Sequence, residues 1–268
     1  MNPLLTQIIL GAIQGITEWL PVSSSGIVTL VNSNFLGITD IGQLLHIALF
    51  LHLGTFFAAL IYFRKDILHL IKSLFNYKKS DTETKRILNF LIISTFISGI
   101  IGLLILKTLT SFESQLEVTG KAITFFIVIF LLITGYLQLK IKSSGLKKEI
   151  HLKNSDGVLL GLAQGVSSLP GISRSGITVS TLLLKKFNDT TALRLSFLMS
   201  LPIVLFGNIF LNLPDFAKVV TSASLVGILA SFVFGFATIS TLMRISKRIN
   251  FGWFVLIFAL IMLGSVLV

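Results

Sequence analysis

Two short stretches carry residue types that can do chemistry. The first, "EWLPVSSSGI" (18–27), sets a lone acid, Glu18, a few residues ahead of Ser23, Ser24 and Ser25. The second, "LPGISRSGIT" (169–178), sets Arg174 between Ser173 and Ser175, with Thr178 one turn further on. A serine becomes a nucleophile only beside a base, and a carboxylate held in a low-dielectric setting can take its proton. An arginine offers a planar fork of donors that matches two phosphate oxygens at once. With hydroxyls on both sides and backbone N–H groups bared by Gly165, Gly171 and Gly176, the second stretch has the make-up of an anion cradle. Plainer readings exist for each part. Glu18 and Arg174 would form a structural ion pair, one serine of the triple would cap the helix that follows it, and Pro170-Gly171 would merely break a helix. Capping by one serine and catalysis by another are compatible, and a clasp alone requires neither the hydroxyls nor the glycines.

What must position these residues is a membrane fold. Of 268 residues 53% are hydrophobic and 12% charged, and the mean hydropathy is +0.92, outside the range of an average soluble domain. The net charge of +11 does not indicate nucleic acid, because the basic residues sit in short segments between apolar runs and form no continuous stripe. With no Cys there is no disulfide framework, thiol nucleophile or thiolate metal site. The first residues lack a basic region and a small-residue cleavage site, so they read as mature sequence.

Six runs approach the roughly 20 apolar residues that cross a hydrocarbon core: 45–63, 87–108, 121–139, 195–213, 220–243 and 251–268. Two further apolar stretches, 4–37 and 157–184, are interrupted by Pro, Gly and clustered Ser, and are expected to enter and leave by the same face as re-entrant hairpins. Glu18 and Arg174 lie at their tips, the only charged residues in either hairpin core. Charge at such depth is a functional signal by default. On this plan all but four of the 22 Lys and Arg residues fall on one side; Lys107, Lys121 and Lys218 fall on the other, and Arg174 lies inside the second hairpin. The positive-inside rule then puts both termini on the outer face.

The two stretches are also related. "LGAIQGITEWLPVSSSGI" (10–27) aligns without a gap on "LGLAQGVSSLPGISRSGI" (160–177), and each copy continues into three spans. An odd number of crossings inverts the second copy, a construction in which sites form near the midplane where the repeats meet. The expected fold is therefore one all-α integral membrane domain over 1–268: six transmembrane helices and two re-entrant helical hairpins in an inverted-topology repeat, with copies at about 1–140 and 155–268.

The histidines add little to this reading. His46 and His52 are six apart on one span and so face different ways, while His69 and His151 fall in basic loops. A dedicated all-protein metal site is not expected. A divalent cation such as Mg or Ca would enter by bridging Glu18 and a substrate phosphate.

The pairing of "QGITEWLPVSSSG" with "PGISRSGIT", together with "LHLGTFFAALIYFRKDI" (51–67), resembles the undecaprenyl-diphosphate phosphatases of the bacitracin-resistance type along essentially the whole chain. The resemblance implies hydrolysis of a C55 polyprenyl diphosphate to the monophosphate, which recycles the lipid carrier of envelope glycan synthesis and gives bacitracin resistance. It also implies the six-span, two-hairpin fold with the site open toward the outer face. Carried over by position, Glu18 matches the second acid of the family's first motif and Ser24 its nucleophilic serine, while Ser173, Arg174 and Thr178 match the phosphate-binding motif. Two positions depart from the family: Gln14 stands where a glutamate is usual, and Ile27 where a histidine follows the serines. Isoleucine transfers no proton.

The expected site therefore has Glu18, Ser24 and Arg174 as catalytic residues. Ser23, Ser25, Ser173, Ser175 and Thr178 join Arg174 around phosphate, with Gln14 and His52 as auxiliaries. Glu18 is expected to handle the proton alone, with His52 packed in its span; the alternatives are that His52 is recruited from the neighbouring span in place of the missing histidine, or that hydrolysis is slow. The expected partners are the polyprenyl diphosphate lipid and the bilayer, with a homodimer left open. The alternative is a transporter or flippase that moves a phosphorylated polyprenyl lipid without cleaving it.

Overall fold

The computed structural model describes residues 2–36, 41–113, 145–169, 172–212 and 220–245, with positions 129, 132 and 136 singly. Helices α1 (Pro3–Thr17) and α2 (Ser24–Phe35) flank the first break. Then come α3 (Ile41–Tyr62), α4 (Arg64–Phe75) and the long α5 (Thr82–Glu113). After a short 3₁₀ turn (Glu149–His151), α6 (Asn154–Val166) and α7 (Arg174–Leu184) flank the second break. The described part closes with α8 (Asp189–Gly207), its π-turn Asn208–Asn212, and α9 (Ser222–Ile245). No strand occurs among the described residues.

The element boundaries follow from local chemistry. Asn2 caps α1 by accepting from the Leu4 amide at 3.0 Å, with Pro3 at the position where a missing N–H costs nothing. Ser23 and Ser173 cap α2 and α7 in the same way, each accepting from the glycine amide three residues on, Gly26 at 3.3 Å and Gly176 at 3.0 Å. Asp81 accepts from the Thr84 amide and hydroxyl at 2.9 and 2.7 Å, which ties down the start of α5.

Thr82–Thr108, Asp189–Asn212 and Ser222–Ile245 are each long and apolar enough to cross a membrane. The α3–α4 pair makes a fourth if taken as one span, with an 81° bend between its parts. The protein is thus an all-α membrane protein. Of the six runs read from the sequence, four coincide with α3, α5, α8 and α9; 251–268 and, apart from positions 129, 132 and 136, 121–139 lie outside the described residues.

Glycines let α1 and α6 approach other helices closely. A Cβ on Gly15 would stand 2.6 Å from the Ser231 carbonyl oxygen of α9, and one on Gly165 would stand 2.6 Å from Ile101 Cβ of α5. Small residues at helix contacts are what allow tight van der Waals packing where lipid removes the hydrophobic driving force. Gly15 and Gly165 occupy matching positions in the two repeat motifs. Each tip helix therefore leans on a long helix of the opposite half of the sequence, which carries both breaks into the interior.

Candidate active site

At the first break the chain leaves α1 at Thr17 and starts α2 at Ser24, so Glu18 follows directly on one helix and Ser24 begins the next. Trp19 anchors this turn. It is 2% exposed, donates from Nε1 to the Gly235 carbonyl at 3.0 Å and meets Phe197 edge-on with ring centroids 4.9 Å apart. Ser23 adopts a left-handed backbone, φ 57° and ψ 82°, a conformation serine rarely adopts, and one that persists only where its surroundings impose it.

Glu18 is the centre of the arrangement. Its side chain is 3% exposed and receives donors on both oxygens. Arg174 Nη2 pairs with Oε1. Oε2 accepts from Gln14 Nε2 at 2.7 Å and from the Ser24 hydroxyl at 2.6 Å, and His52 Nε2 lies 3.0 Å away from it. Four groups from α1, α2, α3 and α7 converge on one carboxylate, so the two tips meet as the sequence suggests. The ring of His52 also has Nδ1 2.6 Å from the Ala48 carbonyl, an acceptor only. With Nδ1–H given to Ala48, the hydrogen between Nε2 and Oε2 is one more than a neutral imidazole holds. Glu18 and His52 therefore share a proton that either can carry.

Arg174 has a second role open to it. Its Nη1 is buried with no hydrogen-bond partner, and the residue lines a cavity of about 970 Å³ together with Glu18, Ser24, His52 and Ser173. An unpartnered buried guanidinium nitrogen beside a cavity calls for an anion. The first turns of α2 and α7 border the same space through Ser24, Ser25, Arg174 and Ser175. Amides at the start of a helix have no partner within it, and both macrodipoles present their positive ends here.

The hydroxyls divide the labour. Ser23 and Ser173 spend their oxygens as caps and Ser24 bonds the base, so capping and chemistry fall to different members of the serine triple. Ser175 donates to the Leu20 carbonyl at 2.8 Å, tying the second tip to the first. Thr178 is fully buried, bonds the Arg174 carbonyl at 2.7 Å and Ser196 of α8 at 2.6 Å, and is not among the residues lining the cavity. It holds the first turn of α7, and so Arg174, in place. Gln14 likewise acts through Glu18 and does not line the cavity. Gly171 lies outside the described residues.

His52, named from the sequence only as an auxiliary, stands at the carboxylate because α3 passes beside the first tip. Ile27, where the resembling family has its histidine, is 8% exposed. Away from the tips the cavity gains Ser98, Gln164, Ser167 and Ser168, then runs along α5 from Leu88 to Leu106 between apolar side chains. That stretch rises about 27 Å at 1.5 Å per residue. Gln164 matches Gln14 in the repeat, the one signal that pointed to it.

Among the described residues no group of three or more His, Asp or Glu side chains is placed to hold a metal ion.

Comparison with known proteins agrees with the geometry. A protein named undecaprenyl-diphosphatase from Methanococcoides burtonii is 39% identical over 258 residues, covering 95% of this chain and 95% of its own. One of the same name from Haloarcula marismortui is 36% identical over 94% of this chain and 93% of its own, and one from Borrelia recurrentis is 33% identical over 95% and 94%. The model of the family described as bacitracin resistance protein BacA matches residues 7–266, and the chain belongs to that family.

Proposed function

We propose that the protein hydrolyses undecaprenyl diphosphate, or a closely related polyprenyl diphosphate, to the monophosphate and inorganic phosphate. The observation that carries this reading is Arg174, which holds Glu18 with one nitrogen while its Nη1 stays buried and unpartnered beside the cavity. The terminal phosphate sits on that nitrogen and on the starts of α2 and α7. Positioning and charge stabilisation are the main demands of phosphoryl transfer, and both are built into these elements. The polyprenyl tail lies along the apolar face of α5.

Ser24 Oγ attacks the terminal phosphorus, or orients a water that does, and its proton passes to Glu18. As the new P–O bond forms, the bond to the bridging oxygen breaks and the polyprenyl monophosphate leaves with the electron pair. His52 supplies a proton to the departing oxygen through the proton it shares with Glu18. If Ser24 is the nucleophile, water then attacks the phosphoserine with Glu18 taking its proton; the bond from phosphorus to Ser24 Oγ breaks, that proton passes to Oγ, and inorganic phosphate leaves. Gln14 keeps Glu18 oriented and, being neutral, adds no second negative charge beside the phosphates.

The membrane arrangement belongs to the same proposal: six crossings, two re-entrant tips and inverted halves, with the termini and the mouth of the site on the outer face. Matching caps at Ser23 and Ser173 and matching close contacts at Gly15 and Gly165 support it. Every residue invoked at the site comes from one chain, so the chemistry does not need a homodimer. A divalent ion, where one takes part, arrives with the substrate phosphates.

Product analysis tests the reaction. Purified protein given a C55 diphosphate yields the C55 monophosphate and one phosphate, and Ser24→Ala and Glu18→Gln yield both more slowly by about 10² or more. Movement of intact diphosphate across vesicles with no phosphate released would replace hydrolysis by transport.

A further inference from the structure

Helix α4 is not accounted for by the site chemistry. Helix α3 alone, 22 residues long, rises about 33 Å, enough to cross a hydrocarbon core of about 30 Å. At Phe63 the chain then turns by 81° into α4. A helix set nearly square to a completed span runs along the membrane surface.

Its exposed side is apolar with a basic edge. Leu68, Ile71 and Phe75, at i, i+3 and i+7, lie on that side and are 58%, 48% and 83% exposed. Lys65 and Lys72, three and four residues from Leu68, flank the row on the same side and are also exposed, as is Arg64 at the helix start, which donates back to the Ile61 carbonyl at 3.1 Å. Leu70 is buried in the main core, holding the helix down. Its one acid, Asp66, is 2.6 Å from Arg194 of α8, and Lys78 and Lys79 follow in the next turn. Water does not favour such an apolar row, and a basic flank beside it matches the acidic headgroups of a leaflet.

We propose that α4 is an interfacial helix that binds acidic phospholipid headgroups through Lys65, Lys72, Lys78 and Lys79 while Leu68, Ile71 and Phe75 enter the acyl region. Ile71 also lines the cavity that passes the active site. The lipid contact thus reaches the wall of the substrate space, a point that rests on the function proposed above; the headgroup binding itself does not. Long lysine stems extend past apolar neighbours to set their charges at headgroup level.

The absence of native Cys allows a direct test with single nitroxide labels at Phe75→Cys and Lys72→Cys in phosphatidylcholine–phosphatidylglycerol vesicles. The label at 75 is expected to be accessible to oxygen and shielded from a water-soluble nickel chelate, and the label at 72 the reverse. Spin-labelled phosphatidylglycerol should be enriched over phosphatidylcholine around the protein, a surface lysine favouring an acidic leaflet by roughly fivefold at most. Lys65→Gln, Lys72→Gln, Lys78→Gln and Lys79→Gln combined should lower that enrichment, and high salt should lower it further in the parent. A label at 75 open to the nickel chelate would mean a solvated helix; one closed to both reagents would mean a covering protein surface, such as a second copy. Either result, or unchanged enrichment in the lysine variant, overturns the proposal. None of these readouts depends on phosphate release.

Discussion

Replacing His52 separates holding Glu18 from moving a proton. His52→Asn removes the donor 3.0 Å from Glu18 Oε2, leaving Gln14, Ser24 and Arg174 on the carboxylate. It also removes the contact to the Ala48 carbonyl, an oxygen that the α3 backbone already uses. The lost hydrogen bond to a charged group costs about 1.5–3 kcal/mol of stability. If His52 supplies the leaving-group proton, the rate falls by about 10²–10⁴, equivalent to about 2.7–5.4 kcal/mol at the transition state. His52→Gln is the discriminating variant, because its amide can still donate to Glu18 but cannot transfer a proton. The assay is steady-state phosphate release from a polyprenyl diphosphate in detergent, over a range of pH, beside thermal unfolding. The expected result is near-parental stability for His52→Gln with a rate as low as that of His52→Asn; kcat of the parent should fall at alkaline pH as His52 loses its proton, and that fall should be missing in both variants. Rates within twofold of the parent for His52→Asn across the pH range would return His52 to a packing role and leave Glu18 as the only proton carrier.

Arg174→Lys keeps the charge opposite Glu18 and the fold, but a compact ammonium cannot pair with the carboxylate and reach phosphate together, so phosphate release should fall by about 10² or more while unfolding temperature changes little. Gly15→Leu forces a side chain against the Ser231 carbonyl and should destabilise by about 1–3 kcal/mol, read as a lower unfolding temperature in detergent. For the orientation, Asn2→Cys should react with an impermeant reagent in intact cells and Ser80→Cys only after permeabilisation; the reverse pattern would invert the proposed topology.

The two tips were legible because their grammar is local. A lone charge, a Pro or Gly break and a serine ahead of a Gly predict a helix start with chemistry beside it, and Glu18, Ser24 and Arg174 meet accordingly. What the motifs could not convey is what arrives from elsewhere in the fold. His52 belongs to a largely apolar helix whose spacing does not single it out, and the passage of that helix beside the first tip makes it a partner of Glu18. The reverse holds for Ser175 and Thr178. Their types suit phosphate, yet neighbouring elements take their hydroxyls, through the Leu20 carbonyl and Ser196. The same limit applies to α4, whose amphipathic spacing is visible but whose 81° departure from α3 is set by packing on the core.

The central claim is that one carboxylate, held by Arg174 and bonded to Ser24, drives cleavage of a lipid diphosphate. The most direct measurement follows phosphate release by purified protein and by Glu18→Gln from the same C55 diphosphate, each with and without chelator. Release by the parent, with a drop of about 10² or more in Glu18→Gln, is the predicted result. Equal release from both proteins, or none from the parent with or without added divalent cation, would contradict it.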